Sequence, residues 1–378
     1  MLLAAAFLVT PGVAQTAPSA TALPSGGQVA AGQVSLAFSG PADAPTLVAT
    51  QTSDRAILNW QAFDIGAAAT VRFAQPAGTS AVLNRVLGPD PSRIFGRLEA
   101  NGQVFLVNPQ GIYFAPSARV DVGGLVASTL AIGDADFLAG RLNFRRVGAT
   151  AGVVNEGEIR AKLGGFVALL APEVRNAGLI MAEAGSVVLA AGEAVSFNFD
   201  PAAGVTGLLV EPARVRALVE NGRIVRAPGG QVLVSAQAHN EMAAGVIRNT
   251  GQIAADGITT DGGRVMLSAS DSVEQGGLVD ASSATGKGGS VDIIAPTIAL
   301  LDASSLLAAG ELGGGRIHVG GGWQGSGPLP QARRVTQSAD SLIDASAIRL
   351  GRGGEVVLWS DVRDILSLTQ AAGVIRAR

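Results

Sequence analysis

Val279-Asp280-Ala281, Leu301-Asp302-Ala303 and Ile343-Asp344-Ala345 repeat one aliphatic-Asp-Ala triplet. Stacked on one face, two such carboxylates about 5 to 9 Å apart would suit glycoside hydrolysis. An Asp at the same turn of each repeat also caps its own backbone, and recurrence at one turn position predicts this architectural role. The two histidines, His239 and His318, are far apart in sequence, and His318 falls on an outward strand position. No Ser/His/Asp arrangement and no His-x-x-x-His spacing occurs. Gly286-Lys287-Gly288 leads into a strand pattern, so it is no phosphate loop. Cysteine is absent, which excludes disulfides and thiolate chemistry. The residues predict no catalytic centre, no cofactor and no metal.

The elements that would position these residues follow from composition. Hydrophobic residues make up 48% of the 378, yet aromatics are only 4% and glycines number 51. Such a chain builds its core from Val, Ile, Leu and Ala on many short strands joined by tight turns. A formal net charge of −3 gives no basic field for nucleic acid. The run Met1–Val9 is apolar, and Thr10, Pro11 and Gly12 break it. Small residues follow, as in a secretory signal peptide cut after Ala14 or Ala20, although no Lys or Arg precedes Arg55.

One pattern recurs through the second half: Gly, any residue, Val or Ile, any residue, an aliphatic residue. It begins at Gly165, Gly185, Gly230, Gly263, Gly289, Gly315 and Gly354. The third and fifth positions stay aliphatic, as in Val265/Leu267, Val291/Ile293 and Ile317/Val319, while those between vary. A two-residue period with one fixed apolar side is a half-buried strand. A second strand type carries Asn-x-Gly-x-Ile at Asn155, Asn176 and Asn249, read as left-handed turns that re-aim the chain. The anchors lie 20, 45, 33, 26, 26 and 39 residues apart. About 20 to 26 residues make one coil, and the longer gaps hold an insertion or a second coil. Ser196–Pro228 is one insertion, with a short helix or loop expected over Pro212–Glu220. Gly320–Gln337, around Trp323, is another. Roughly fifteen stacked coils at about 4.8 Å each would give a rod on the order of 70 Å.

The first half is strand-rich without the clean repeat. Its motifs are Asn59-Trp60-Gln61, Phe63-Asp64-Ile65-Gly66, Leu83-Asn84-Arg85-Val86, Asp90-Pro91-Ser92 with Ile94-Phe95-Gly96, and Asn101–Leu106. Asn108-Pro109-Gln110-Gly111 then makes a turn, with Pro fixing φ at its first central position, and Val122–Leu130 closes the set. Residues 28–130 resemble the haemagglutination-activity, or two-partner secretion, domain of filamentous haemagglutinin-like exoproteins. That family's turn reads Asn-Pro-Asn-Gly; here Asn108, Pro109 and Gly111 match and Gln110 replaces the second Asn. The family's second motif, Asn-Pro-Asn-Leu, has no recognisable counterpart.

The resemblance implies a right-handed parallel β-helix, an all-β solenoid, with an N-terminal capping region and short extra-helical insertions. With the signal peptide over 1–20, the expected organisation is a secretion domain over 25–150, β-helix repeats over 151–365 and a truncated C-terminal tail over 366–378. The partner would be an outer-membrane barrel transporter with periplasmic domains, with Asn108, Pro109, Gln110 and Gly111 as candidates for what it reads. The protein would be secreted or at the surface of a Gram-negative cell, adhesive and structural, with host-surface or cell-surface glycans as further partners. The alternative is a β-helical protein that binds or cleaves polysaccharide, marked by a groove of acidic and aromatic side chains.

Overall fold

The computed structural model describes residues 16–148, 151–200, 203–239, 243–257 and 260–378. Of the signal peptide expected over 1–20, the part through residue 15 lies outside them. Three columns of parallel strands wind into one solenoid. The first column takes the Gly-anchored strands. It runs from Arg55–Trp60 through Ala81–Val86, Gln103–Val107, 124–128, 166–170, Ser186–Ala191 and Gln231–Ala236. It continues through Arg264–Ala269, Ser290–Ile294 and Arg316–Val319 to Glu355–Leu358. That is eleven rungs, roughly 50 Å at the sheet spacing. Every long gap is a single coil: Ser186–Ala191 pairs directly with Gln231–Ala236, and Arg316–Val319 with Glu355–Leu358. The estimate of fifteen coils is corrected for that reason. The extra residues leave the stack as outward excursions, which the loop-closure entropy tolerates.

Val265, Val291 and Ile317 lie in register and are fully buried. The third column repeats the arrangement with Val174, Val219, Ile247, Val273, Ile298 and Val335. These side chains join one aliphatic core along the axis. Burial of this kind stabilises by about 25 cal/mol per Å² of apolar surface, and no single coil has enough to fold alone.

Close approach explains the anchor glycines. A Cβ on Gly185, Gly230, Gly263 or Gly289 would sit 2.0 Å from the carbonyl oxygen of the anchor one rung below. None of these has a positive φ. The Asn-x-Gly motif is corrected in the same way. Asn155, Asn176 and Asn249 are not left-handed. Gly178 is fixed by the Gly157 carbonyl, 2.2 Å from where its Cβ would lie. The asparagines point inward and form a buried amide ladder: Asn155 donates to Asn176, Asn176 to Asn221 and Asn221 to Asn249, each at 2.8 Å, and Asn249 to Gln275 at 2.9 Å.

The N-terminal end is closed by antiparallel pieces, as expected of a cap. Gln28–Ala31 pairs with Arg55–Trp60, and Val34–Ser39 with Thr46–Gln51, which opens the second column. Leu23, Val34 and Leu36 cover the first coil's core.

Two excursions were not foreseen as a unit. Ala131–Ile132, Leu142–Arg145, Ala194–Asp200 and Gly204–Glu211 form a four-stranded antiparallel sheet. With the short helix Asp134–Leu138 it covers the outer side of the first column. Leu83, Phe105, Val126, Ala168, Val188 and Leu233, all at outward positions, form a second core with Phe137, Phe144 and Phe197. The tolerant positions of the earlier repeats are therefore buried. Pro212–Glu220 holds no helix: Ala217–Asn221 is a strand paired with Glu173–Asn176. Its sequence suits either period, and the open hydrogen bonds of the rung below decide for strand.

Candidate recognition turn and the motif residues around it

Asn108–Gly111 is a coil corner, carrying the chain from Gln103–Val107 in the first column to Ile112–Phe114 in the third. Gly111 donates its N–H to the Asn108 carbonyl at 3.1 Å, closing the turn. Gly111 has φ +116°, which favours glycine. Asn108 is fully buried. Its Oδ1 accepts the Gln110 N–H at 2.9 Å, and its Nδ2 donates to the Asp90 carbonyl and to Ser92 Oγ, both at 3.0 Å. Asn108 thus staples the turn to the coil below. Of the four candidates only Gln110 is exposed, with Pro109 half-buried beside it.

The other motif residues also act between coils. Trp60 donates its indole N–H to Asn84 Oδ1 at 2.9 Å and packs edge-on against Phe63. Asp64 accepts the Arg93 backbone N–H at 2.8 Å and pairs with its guanidinium at 2.7 Å. The Asp64 hydrogen bond, opposed by burial, holds the Arg93 guanidinium above its ordinary range. Arg85 donates to the Ile132 carbonyl at 3.0 Å and pairs with Asp134, tying the first column to the extra sheet. Tyr113, the chain's one tyrosine, donates to Glu156 one coil on. Burial and that hydrogen bond push its phenol up to about 12.

The candidate acids do not converge. Asp280 and Asp344 share a column but Leu307 separates them, a spacing of roughly 10 Å. Each caps its turn, through the N–H of Ser282 at 2.8 Å and of Ser346 at 2.9 Å. Asp302 lies in a different corner, outside that column. The expected stacking of the three is corrected, and the capping role holds for Asp280 and Asp344. His318 does find partners: Nε2 meets Glu355 at 2.5 Å, and Nδ1 lies 3.7 Å from Asp292 Oδ1. Arg264 and Arg316 flank Asp292 at 3.9 and 3.6 Å. The cluster clamps adjacent rungs. Among the described residues no group of three His, Cys, Asp or Glu side chains is placed to hold a metal. Sequence reasoning missed Asn84, Asp64 and Ser92 as individual actors, since their partners lie 24, 29 and 16 residues away.

This geometry defines a class: a capped parallel β-helix whose amino-terminal motifs serve coil junctions. The comparisons agree. The model of the TPS secretion domain matches residues 20–281. The crystal structure of the HMW1 secretion domain from Haemophilus influenzae superposes with a TM-score of 0.82 at 29% identity, covering 94% of this chain and 90% of that one. The heme/hemopexin-binding protein of Haemophilus influenzae strain Rd is 31% identical over 274 residues, 70% of this chain. A second Haemophilus influenzae heme/hemopexin-binding protein is 32% identical over 247 residues, 59% of this chain. The chain spans 29% and 26% of the lengths of these two relatives. The chain belongs to the TPS, or two-partner secretion, domain family. Exoproteins of this family are secreted across the outer membrane of Gram-negative bacteria, and this chain is placed among them.

Proposed function

We propose that an outer-membrane barrel with periplasmic domains reads the amino-terminal coils and passes the chain outward extended, and that the coils then stack on the cell's outer side. On this reading the exported body is structural and adhesive, with no catalytic step of its own. The observation that carries it is the uninterrupted rung-on-rung pairing of the first column, built from segments that each need only the rung below. Folding by addition at one end would draw the chain through a pore without a nucleotide. The absence of cysteine leaves no disulfide to block passage. At the Asn108–Gly111 corner the exposed Gln110 and the rim of Pro109 are the atoms offered for recognition in the folded state.

The test is secretion of the full chain from cells with and without its barrel transporter. The protein is expected in the medium, protease-resistant, only when the barrel is present. Equal release without any such barrel would overturn the proposal. A ligand panel defines the adhesive part: surface glycans, scored for binding and cleavage, and hemin and hemopexin, prompted by the names of the relatives. Binding without cleavage is the expected outcome; glycan cleavage would replace this reading with the polysaccharide-acting one.

A further inference from the structure

The extra sheet carries a cleft on the face turned away from the β-helix. Alternation puts Leu142 and Phe144 into the second core and leaves Asn143 and Arg145 outside. On the edge strand, Leu209 and Glu211 likewise face out. The cleft encloses about 570 Å³, within the range of small-ligand sites. Two of its apolar side chains are unusually bare for their size: Leu209 is 59% exposed and Val147 69%. A second hollow of about 450 Å³ adjoins it and shares Arg145 and Glu211 as lining. This end is cationic: Arg145, Arg146 and Arg214 face Glu193 and Glu211.

The charges there are not equivalent. Arg146 and Glu193 form a two-point pair at 3.0 and 3.1 Å, largely shielded from water. Burial pushes the Glu193 carboxyl up, but the hydrogen bonds from Arg146 and the Arg214 backbone, with both guanidinium charges, bring it below its usual range. That pair is structural. Arg145 and Glu211 meet at 3.3 Å in the open, where an ion pair is weak and exchangeable. Arg214 gives its backbone N–H to Glu193 at 3.4 Å, and its guanidinium enters no salt bridge among the described residues. Among the described residues lining this end, three arginines face two glutamates, so one positive charge is in excess beside the bare Leu209 side chain.

The geometry points to a binding site for a small amphiphilic carboxylate, an apolar body along Leu209 with its acid group at Arg145 and Arg214. Guanidinium forks match a carboxylate in charge and in planar shape. The aliphatic floor adds the apolar contribution to binding.

The probe is decanoate below its micelle concentration, titrated calorimetrically into the full chain beside decyltrimethylammonium and decanol. Decanoate is expected to bind saturably at one site, with the cation and the alcohol at least roughly tenfold weaker, as a charge-assisted contact implies. Arg214→Glu and Leu209→Asp are each expected to weaken decanoate roughly tenfold or more with unchanged circular dichroism. Arg352→Glu, exposed and outside the cleft, should leave binding alone. Arg214→Gln, which only removes the charge, covers the case in which Glu perturbs the fold. Equal binding of all three probes, undiminished binding in Arg214→Gln and Leu209→Asp, or no saturable binding of decanoate would each overturn the assignment.

Discussion

Asn176 Nδ2 donates to Asn221 Oδ1 at 2.8 Å, although the two residues are 45 apart in sequence. The bond crosses one rung of the third column, since Ala194–Asp200 and Gly204–Glu211 leave the coil between them as part of the extra sheet. Removing one amide leaves its neighbours buried and half-satisfied. Asn221→Ala is expected to cost about 1–3 kcal/mol, read as a lower urea midpoint. An unchanged midpoint would mean that the ladder contributes nothing net.

Gly230 and Gly78 should respond oppositely to alanine. A Cβ at Gly230 would lie 2.0 Å from the Gly185 oxygen, whereas at Gly78 it would meet only the Asn101 oxygen, at 3.7 Å. Neither has a positive φ, so space alone distinguishes them. Gly230→Ala should lower the melting temperature sharply or prevent folding, while Gly78→Ala should stay within about 0.5 kcal/mol of the parent. Similar effects at the two sites would remove close approach as the reason for the repeat's glycine.

Tyr113 offers a titration free of background, being the chain's one tyrosine. Phenolate absorbance should appear only as the pH approaches about 12 in the folded protein. The sign follows from a folded pKa raised above the unfolded value near 10. The Tyr113–Glu156 contact contributes fully below about pH 10 and is lost as the pH climbs through about 12. Tyr113→Phe should flatten that alkaline loss. Ionisation at pH 10 with the fold intact would contradict the contact.

The Asn108 corner separates stability from recognition. Asn108→Ala removes three side-chain hydrogen bonds and should lower the melting temperature, at about 1–3 kcal/mol. Gln110→Ala, exposed, should leave it unchanged. Secretion falling in Gln110→Ala at constant stability would mark the folded turn as what the transporter reads. Secretion that falls only with Asn108→Ala would assign the motif to folding or to recognition of the unfolded strand.

The stack was legible because Gly-x-Val-x-Leu has a strict period of two and returns with the same apolar side each time. Val265, Val291 and Ile317 could be aligned by eye and do align in space. What failed to show was everything set by contacts between rungs. Asn176 reads as a turn residue until the rung above places Asn221 over it. The Leu301-Asp302-Ala303 triplet matches the local pattern, yet register puts Leu307 opposite Asp280. Local similarity cannot tell which of two nearby segments will occupy a rung. Phe144 and Phe197 gave no sign of a separate sheet, because their alternation is the same as that of any coil strand. Their partners, Phe105 and Phe166, sit on outward positions that the pattern alone marks as tolerant. The cleft above that sheet was hidden with it.

Engineered disulfides test the stacking register most directly, since the chain has no cysteine of its own. Arg175 and Glu220 face each other on adjacent rungs, whereas Arg175 and Arg248 are two rungs apart. Adjacent parallel strands bring Cα atoms to about 4.8 Å, inside disulfide range, and two rungs give roughly 10 Å, outside it. Under mild oxidation, Arg175→Cys with Glu220→Cys should close to near completion, and Arg175→Cys with Arg248→Cys should stay reduced. Closure of the second pair in place of the first would contradict a single coil between Asn176 and Asn221, and with it the rung-by-rung stack.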